Sequence, residues 1–215
     1  MISQELQKRI FSSFILIPLV IFFVYQGSIL FLIFLTIIFL ATSYEWFKMC
    51  KKNDILKLLG IAFLLFSFYA AFEFRESENY KDFLFTITVC IFTDTGGYIF
   101  GKIFKGPKLT KISPKKTYTG VLGSFLFPLI LGLVVYQYQY TDEIPADGFY
   151  FLLIVLLISL ISQIGDLIIS YFKRKAKIKD TGNILPGHGG LLDRIDGMIF
   201  VFPFCYIITI SGNLI

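Results

Sequence analysis

The run VLLISLISQIGDLIISYFKRK, Val155 to Lys175, decides how the chain is to be read. Eighteen residues pass with a single charge, Asp166, and then Lys173, Arg174 and Lys175 follow in a row. An apolar run that approaches the roughly 20 residues needed to cross a bilayer is a transmembrane helix. Bases crowded at its end mark the side that stays in the cytoplasm. The run therefore predicts a span over 148–170, entering from outside and ending inside.

Working outward, the same criterion predicts six more spans, near 10–26, 27–47, 55–74, 83–101, 119–140 and 197–215. The expected fold is all-α, a polytopic helical membrane protein of about seven spans. Composition agrees: 56% of the 215 residues are hydrophobic and 18% aromatic, with only 16% charged, and the mean hydropathy is +0.75. A soluble domain carries about a quarter charged residues. The first span contains Pro18 and follows Lys8 and Arg9, as a signal peptide would, but no small-residue cleavage site follows Ile17-Pro18-Leu19, so it reads as a retained helix. Only Tyr25-Gln26-Gly27-Ser28 separates it from the second, which predicts a tight hairpin.

Lys and Arg fall on alternate connections. The N-terminus has 2, the segment 48–57 has 4, and 102–116 and 173–194 have 6 each, which is 18 of the 20 on one face. Arg75 and Lys81 are the exceptions, in a loop that also holds Glu73, Glu76, Glu78 and Asp82. The segment 141–147 has Asp142, Glu143 and Asp147 and no base. The expected topology is N-terminus inside and C-terminus outside, and the net charge of +5 follows from it without nucleic acid as a partner. Cys50, Cys90 and Cys205 have no metal-ligand spacing. The chain reads as one integral membrane domain over 1–215, with N-terminal spans in 1–90 and catalytic spans and cytoplasmic loops in 91–215.

Two carboxylates stand inside apolar segments, Asp94 in CIFTDTGGYIFG and Asp166 in LISQIGDLIIS. An ionisable group there is costly unless it faces water, a cation or a partner, so each marks a candidate site; a helix-packing pair is the plain alternative. Asp94 precedes Lys102 by 8 residues and Asp166 precedes Lys173 by 7, so both lie some 10–12 Å from the basic ends at 1.5 Å per residue. They can share one cavity, and Gly96, Gly97 and Gly165 beside them allow backbones or a ligand to approach closely. Asp193 and Asp196, three apart, share a helix face and could hold one hard cation, or simply favour a helix N-terminus. Arg194 points elsewhere and is available for phosphate. The turn Pro186-Gly187-His188-Gly189-Gly190 could line an anion nest with its N–H groups. Ser113-Pro114-Lys115-Lys116-Thr117 suits a polyphosphate, although clustered lysines also follow from topology alone. Buried acids, an acidic pair, a Gly turn and two basic loops on one face describe a divalent metal with a polyphosphate better than a pore.

These residues resemble a known pattern. Ser170-Tyr171-Phe172-Lys173-Arg174, Lys179-Asp180, Gly182, Leu185-Pro186, His188-Gly189-Gly190-Leu191 and Asp193-Arg194-Ile195-Asp196 match, over 27 residues, the signature of the phosphatidate cytidylyltransferase (CDP-diacylglycerol synthase) family. Asp94-Thr95-Gly96-Gly97-Tyr98 with Gly101, and Ser113 to Thr117 with Gly120, resemble further family blocks. One departure stands out: Tyr118-Thr119-Gly120 occupies the place where the family commonly has Trp-Glu-Gly. The resemblance implies CTP and phosphatidate as substrates, CDP-diacylglycerol and pyrophosphate as products, Mg2+ held by Asp166 and Asp193, a monovalent cation such as K+ nearby, and a homodimer in the inner membrane with its site facing the cytoplasm. The residues expected at the chemistry are Asp166, Asp193, Asp196, Lys173, Arg174, His188 and Arg194. Those expected to contact substrate are Asp94, Ser113, Lys115, Lys116, Thr117, Lys179, Asp180, Gly189 and Gly190. The alternatives are a CTP-dependent transferase acting on another lipid phosphate or polyprenol, and a cation channel or carrier using the intramembrane acids; a scaffold gives no reason to bury acids.

Overall fold

The computed structural model describes residues 4–51, 53–110, 112–139, 147–184, 187 and 189–211. It contains eight α-helices: α1 (Gln4–Gln26), α2 (Ser28–Met49), α3 (Asp54–Ser77), α4 (Tyr80–Phe104), α5 (Tyr118–Gln139), α6 (Asp147–Lys175), α7 (Leu192–Ile195) and α8 (Met198–Ile210). Among the described residues no strand forms, only isolated bridge positions such as the antiparallel pair Lys108 and Thr117, so the all-α expectation holds. Five helices, α2 to α6, are long and apolar enough to cross a membrane; the apolar parts of α1 and α8, Phe11–Gln26 and Met198–Ile210, are shorter. Large apolar side chains cover the outside, among them Phe14, Leu40, Leu58 and Leu122, each more than half exposed. A water-soluble protein does not present such a surface, and the chain is an integral membrane protein.

The first corner forms where expected. Gly27 and Ser28 take positive φ of 66° and 47°, which breaks the helix between α1 and α2. Arg75 fastens this corner from the end of α3: its Nε donates to the Val24 carbonyl at 2.9 Å and its Nη2 to that of Tyr25 at 3.0 Å. Glu76 accepts from Arg75 Nη1 and from the Ser28 amide, both at 2.8 Å. A base placed against the last carbonyls of a helix satisfies groups that the helix leaves open. Arg75, an exception to the charge pattern, is thus explained by the corner it closes. Asn53 and Asn79 cap α3 and α4 by accepting from Leu56 N at 2.9 Å and Lys81 N at 3.1 Å.

Within the bundle α4 packs most extensively on α5, and α3 on α8. The α4–α5 contact is made by small residues: a methyl on Gly96 would run into the Gly123 carbonyl, and one on Gly123 into that of Gly96. Gly97 faces Ser124, and Gly165 faces Phe200 and the Asp196 carbonyl. The glycines beside Asp94 and Asp166 therefore serve the approach of neighbouring helices. The core has two parts: one includes Phe31, Phe74, Phe83, Val155 and Val201; the other, centred on Trp46, Leu64, Ile169, Leu192 and Ile199, underlies the polar end of the bundle.

Candidate active site

Helix α6 presents a polar face. Asp166, Ser170 and Lys173 fall at i, i+4 and i+7, one above another on a 3.6-residue helix. Ser170 Oγ donates to Asp166 Oδ1 at 3.1 Å, and Lys116, from the α4–α5 loop, places Nζ 2.5 Å from Asp166 Oδ2. Lys173 Nζ donates to Asp193 Oδ1 at 2.8 Å and lies 3.8 Å from Asp196 Oδ2. Asp196 in turn shares a hydrogen bond with Asp166. Asp94 is within electrostatic reach of Asp166, Lys116 and Arg194. The acids and bases predicted from separate segments thus form one chain of contacts, Lys116–Asp166–Asp196–Lys173–Asp193. Asp196 stands ahead of α8; burial first, then the Asp166 carboxylate beside it, push its carboxyl well above the usual carboxylate range, while Lys173 opposes this.

The cluster is graded in access. The side chains of Lys116 and Asp166 are 27% and 23% exposed, those of Lys173 and Asp193 only 10% and 6%, and Asp94 is exposed. Its open edge is therefore the Asp94–Lys116–Asp166 side.

Asp193 is held by the segment before it. Its Oδ2 accepts from Thr181 N at 2.8 Å, Thr181 Oγ1 at 3.1 Å and Gly190 N at 3.1 Å. Behind this stands Glu45 of α2, 1% exposed, which accepts from Leu191 N at 2.9 Å on Oε1, and from Leu192 N at 2.8 Å and Thr181 Oγ1 at 2.9 Å on Oε2. The Thr181 hydroxyl has one hydrogen and two carboxylates to serve, so it donates to one at a time. A methyl on Gly190 would collide with Thr181 and Glu45, so the loop closes on Glu45 only because that position has no side chain. Sequence reasoning placed only Asp94 and Asp166 among acids inside apolar segments, and Glu45 is a third. The available signal was an acid before Trp46 within the predicted span 27–47.

Several expectations are modified. Gly187 and Gly189 do take positive φ, 76° and 87°, and the amides of Gly190, Leu191 and Leu192 point at Asp193 and Glu45, so this end of the turn cradles the protein's own carboxylates. His188 lies outside the described residues. Asp193 and Asp196 do not share one long helix; α7 is a single turn that ends before Asp196, although Asp196 and Gly197 keep helical dihedrals into α8. Lys173, expected at phosphate, is buried between two carboxylates. Arg174 donates to the carbonyls of Ile112 at 3.3 Å and Ile178 at 3.0 Å, tying two basic loops together. Lys115 and Lys116 do not act as a pair, since Lys116 turns to Asp166 while Lys115 is exposed. Thr117 Oγ1 accepts from Gly120 N at 3.1 Å and caps α5, and Thr119, in the position where a Glu was expected, accepts from Gly106 N at 3.2 Å and closes the loop. Ser113 is half-buried in this loop, and Lys179, Asp180 and Arg194 are exposed around the mouth.

No three His, Cys, Asp or Glu side chains converge as a metal cage among the described residues. Magnesium does not require one: it takes one or two carboxylates and fills its octahedron with waters and substrate phosphates. The oxygens of Asp166 and Asp193 are hard and anionic, and each already has a cation against it, the ammonium of Lys116 or Lys173. This donor set fits the ion.

Fold and site together define a polytopic membrane protein with a carboxylate–lysine centre at one end of its bundle. Residues 55–211 match the model of the cytidylyltransferase family. The phosphatidate cytidylyltransferase of Rickettsia felis is 34% identical over 217 residues, covering 97% of this chain and 94% of its own, and that of Rickettsia typhi is 35% identical over 215 residues, covering 97% and 93%. The Bacillus subtilis phosphatidate cytidylyltransferase is 40% identical over 151 residues, 69% of this chain and 55% of its own. The chain belongs to the cytidylyltransferase family, and it is an enzyme that transfers a nucleotidyl group.

Proposed function

We propose that the chain transfers CMP from CTP to phosphatidate, giving CDP-diacylglycerol and pyrophosphate, at the cytoplasmic face of an inner membrane. The observation that carries this reading is the convergence of Lys116, Asp166, Asp196, Lys173 and Asp193 in one contact chain on the most basic end of the bundle, in a chain whose relatives bear the name of that activity.

In the reaction an oxygen of the lipid phosphate attacks the α-phosphorus of CTP. The new P–O bond forms as the bond from the α-phosphorus to the bridging oxygen breaks, and the electron pair leaves with pyrophosphate. The attacking oxygen is anionic near neutral pH, so no strong base is needed. The obstacle is repulsion between two polyanions, and catalysis rests on positioning and charge. Lys116, at the exposed edge, exchanges its carboxylate partner for a phosphate, and Lys115 and Arg194 add positive charge at the mouth. Thr181, Gly190 and Glu45 hold the buried side, fixing Asp193 while substrates enter from the open side. Asp166 and Asp193 would hold magnesium, which would supply neutralisation of the triphosphate, and a monovalent cation such as K+ would be a second cofactor. In the same reading α1 and α8 complete a seven-span bundle, the N-terminus is cytoplasmic, and the enzyme is a homodimer. A cation carrier accounts for the intramembrane acids but not for the Lys-, Asp- and Gly-rich stretch from Lys177 to Gly190.

The test is an assay of purified protein with radiolabelled CTP and phosphatidate, with and without magnesium. Labelled lipid should form only with both phosphatidate and magnesium. Asp193→Asn should lower turnover by about 10²-fold or more, the scale seen when one charge-stabilising group is lost, with unchanged membrane insertion. Wild-type turnover in that variant removes Asp193 from the site, and no labelled lipid from the wild type removes the reading.

A further inference from the structure

Away from the carboxylates, an apolar slot of about 430 Å³ lies between α1, α2, α3, α4 and the start of α8. Among the described residues its only polar wall groups are Ser67 and Thr88. Both donate within their own helices, Ser67 Oγ to the Phe63 carbonyl at 2.9 Å and Thr88 Oγ1 to that of Leu84 at 2.7 Å. Water therefore finds no partners there, and apolar cavities of this kind stay dry. Left empty, a void this large would forfeit packing on a scale that rivals the whole stability of a domain. Hydrocarbon is the filler that a bilayer offers.

The slot has a direction. Its blind end is formed by Val24, Phe31 and Phe83, all at most 2% exposed. Along α4 it runs from Phe83 to Ile91, about 12 Å at 1.5 Å per residue. Its near end holds Ile91, Ile195 and Met198. Ile91 is one turn from Asp94 on the same helix face, and Ile195 directly precedes Asp196. At the rim Ile17, Ile21 and Ile91 are exposed, so the slot opens sideways between α1 and α4, where lipid lies. The volume is near the small end of ligand sites, enough for one chain and not for a whole diacylglycerol.

We infer that this slot takes one acyl chain of the lipid phosphate substrate, with the headgroup at the Asp94–Lys116–Asp166 edge and the chain end at Phe31 and Phe83. The inference rests on the proposed reaction and adds to it a recognition element for chain length. The substrate chain, and not bulk lipid, is the occupant because the near end adjoins the carboxylate cluster.

Two measurements test it. Ala71→Leu and Ser67→Leu, which fill the slot from α3, should each lower the ratio of kcat/KM for dioleoyl over dihexanoyl phosphatidate by about tenfold. Wild-type protein treated with phosphatidate bearing a diazirine at the end of one acyl chain should be labelled on α2 or α4 within residues 31–38 or 83–91, and unlabelled phosphatidate should compete far better than phosphatidylcholine. An unchanged ratio in active variants, labelling elsewhere, or equal competition by phosphatidylcholine overturns the inference. If the filled variants do not fold, the labelling of wild type decides alone. Wild type that makes no CDP-lipid from either phosphatidate defeats the proposed function instead.

Discussion

Glu45 shows what a single buried charge does here. Its carboxylate accepts from two amides and one hydroxyl at 2.8–2.9 Å, and without it the Leu191 and Leu192 amides lose their acceptor, whereas the Thr181 hydroxyl still has Asp193. A buried donor left unsatisfied costs about 1–3 kcal/mol. Glu45→Gln replaces one acceptor oxygen by an amide NH2 that faces donors, so the loop at 181–192 should loosen: kcat should fall by about tenfold or more while insertion is retained, and proteolysis between α6 and α8 should quicken. Unchanged cleavage and kcat would show that the loop holds Asp193 without it. Asp94 and Asp166 were legible because an acid amid Phe, Ile and Leu is conspicuous on energetic grounds. Glu45 was not, because it stands near a helix end where an acid ordinarily reaches water, and its partners are 136 to 147 positions away. The contacts of Lys173 were hidden for a related reason: a base at a span end suits topology, and nothing in its neighbours foretells that it folds in between two carboxylates.

At the scale of helices, the apolar runs gave the order, with five of the predicted spans formed by helices long and apolar enough to cross a membrane, whereas the ends were less visible. The predicted spans 83–101 and 148–170 continue to Phe104 and Lys175, because Lys and Arg are good helix formers and the bases extend the helix past the apolar run. Helix pairing was not legible. Lipid-facing and core-facing positions are both Phe, Ile and Leu, so no polar face betrays the partner. The exception is the small-residue contact of α4 with α5, since Gly96 and Gly123 oppose each other's carbonyls. Gly123→Leu should force these helices apart and lower stability by about 1–3 kcal/mol or more, read as a lower Tm in detergent. A Tm equal to wild type would mean that the contact yields without loss.

For the whole molecule, the alternation of basic and acidic connections described the chain's course. The α2–α3, α4–α5 and α6–α7 connections do meet at one end, joined by the Glu45, Lys116 and Arg174 contacts, and the Arg75 corner is at the other. Cysteine accessibility tests the orientation, because Cys50, Cys90 and Cys205 are all buried. In vesicles, an impermeant maleimide should label Lys179→Cys from the cytoplasmic side and Ser77→Cys from the opposite side; labelling of both from one side would break the alternating path. The Glu45 contacts also set an order of events during synthesis. At 5–20 residues per second, the 136 to 147 residues that separate this acid from its donors take about 7 to 30 s to emerge. The second helix must therefore reach the translocation machinery with an unanswered carboxylate near its end, and the active centre cannot assemble until Thr181 and Leu192 have left the ribosome.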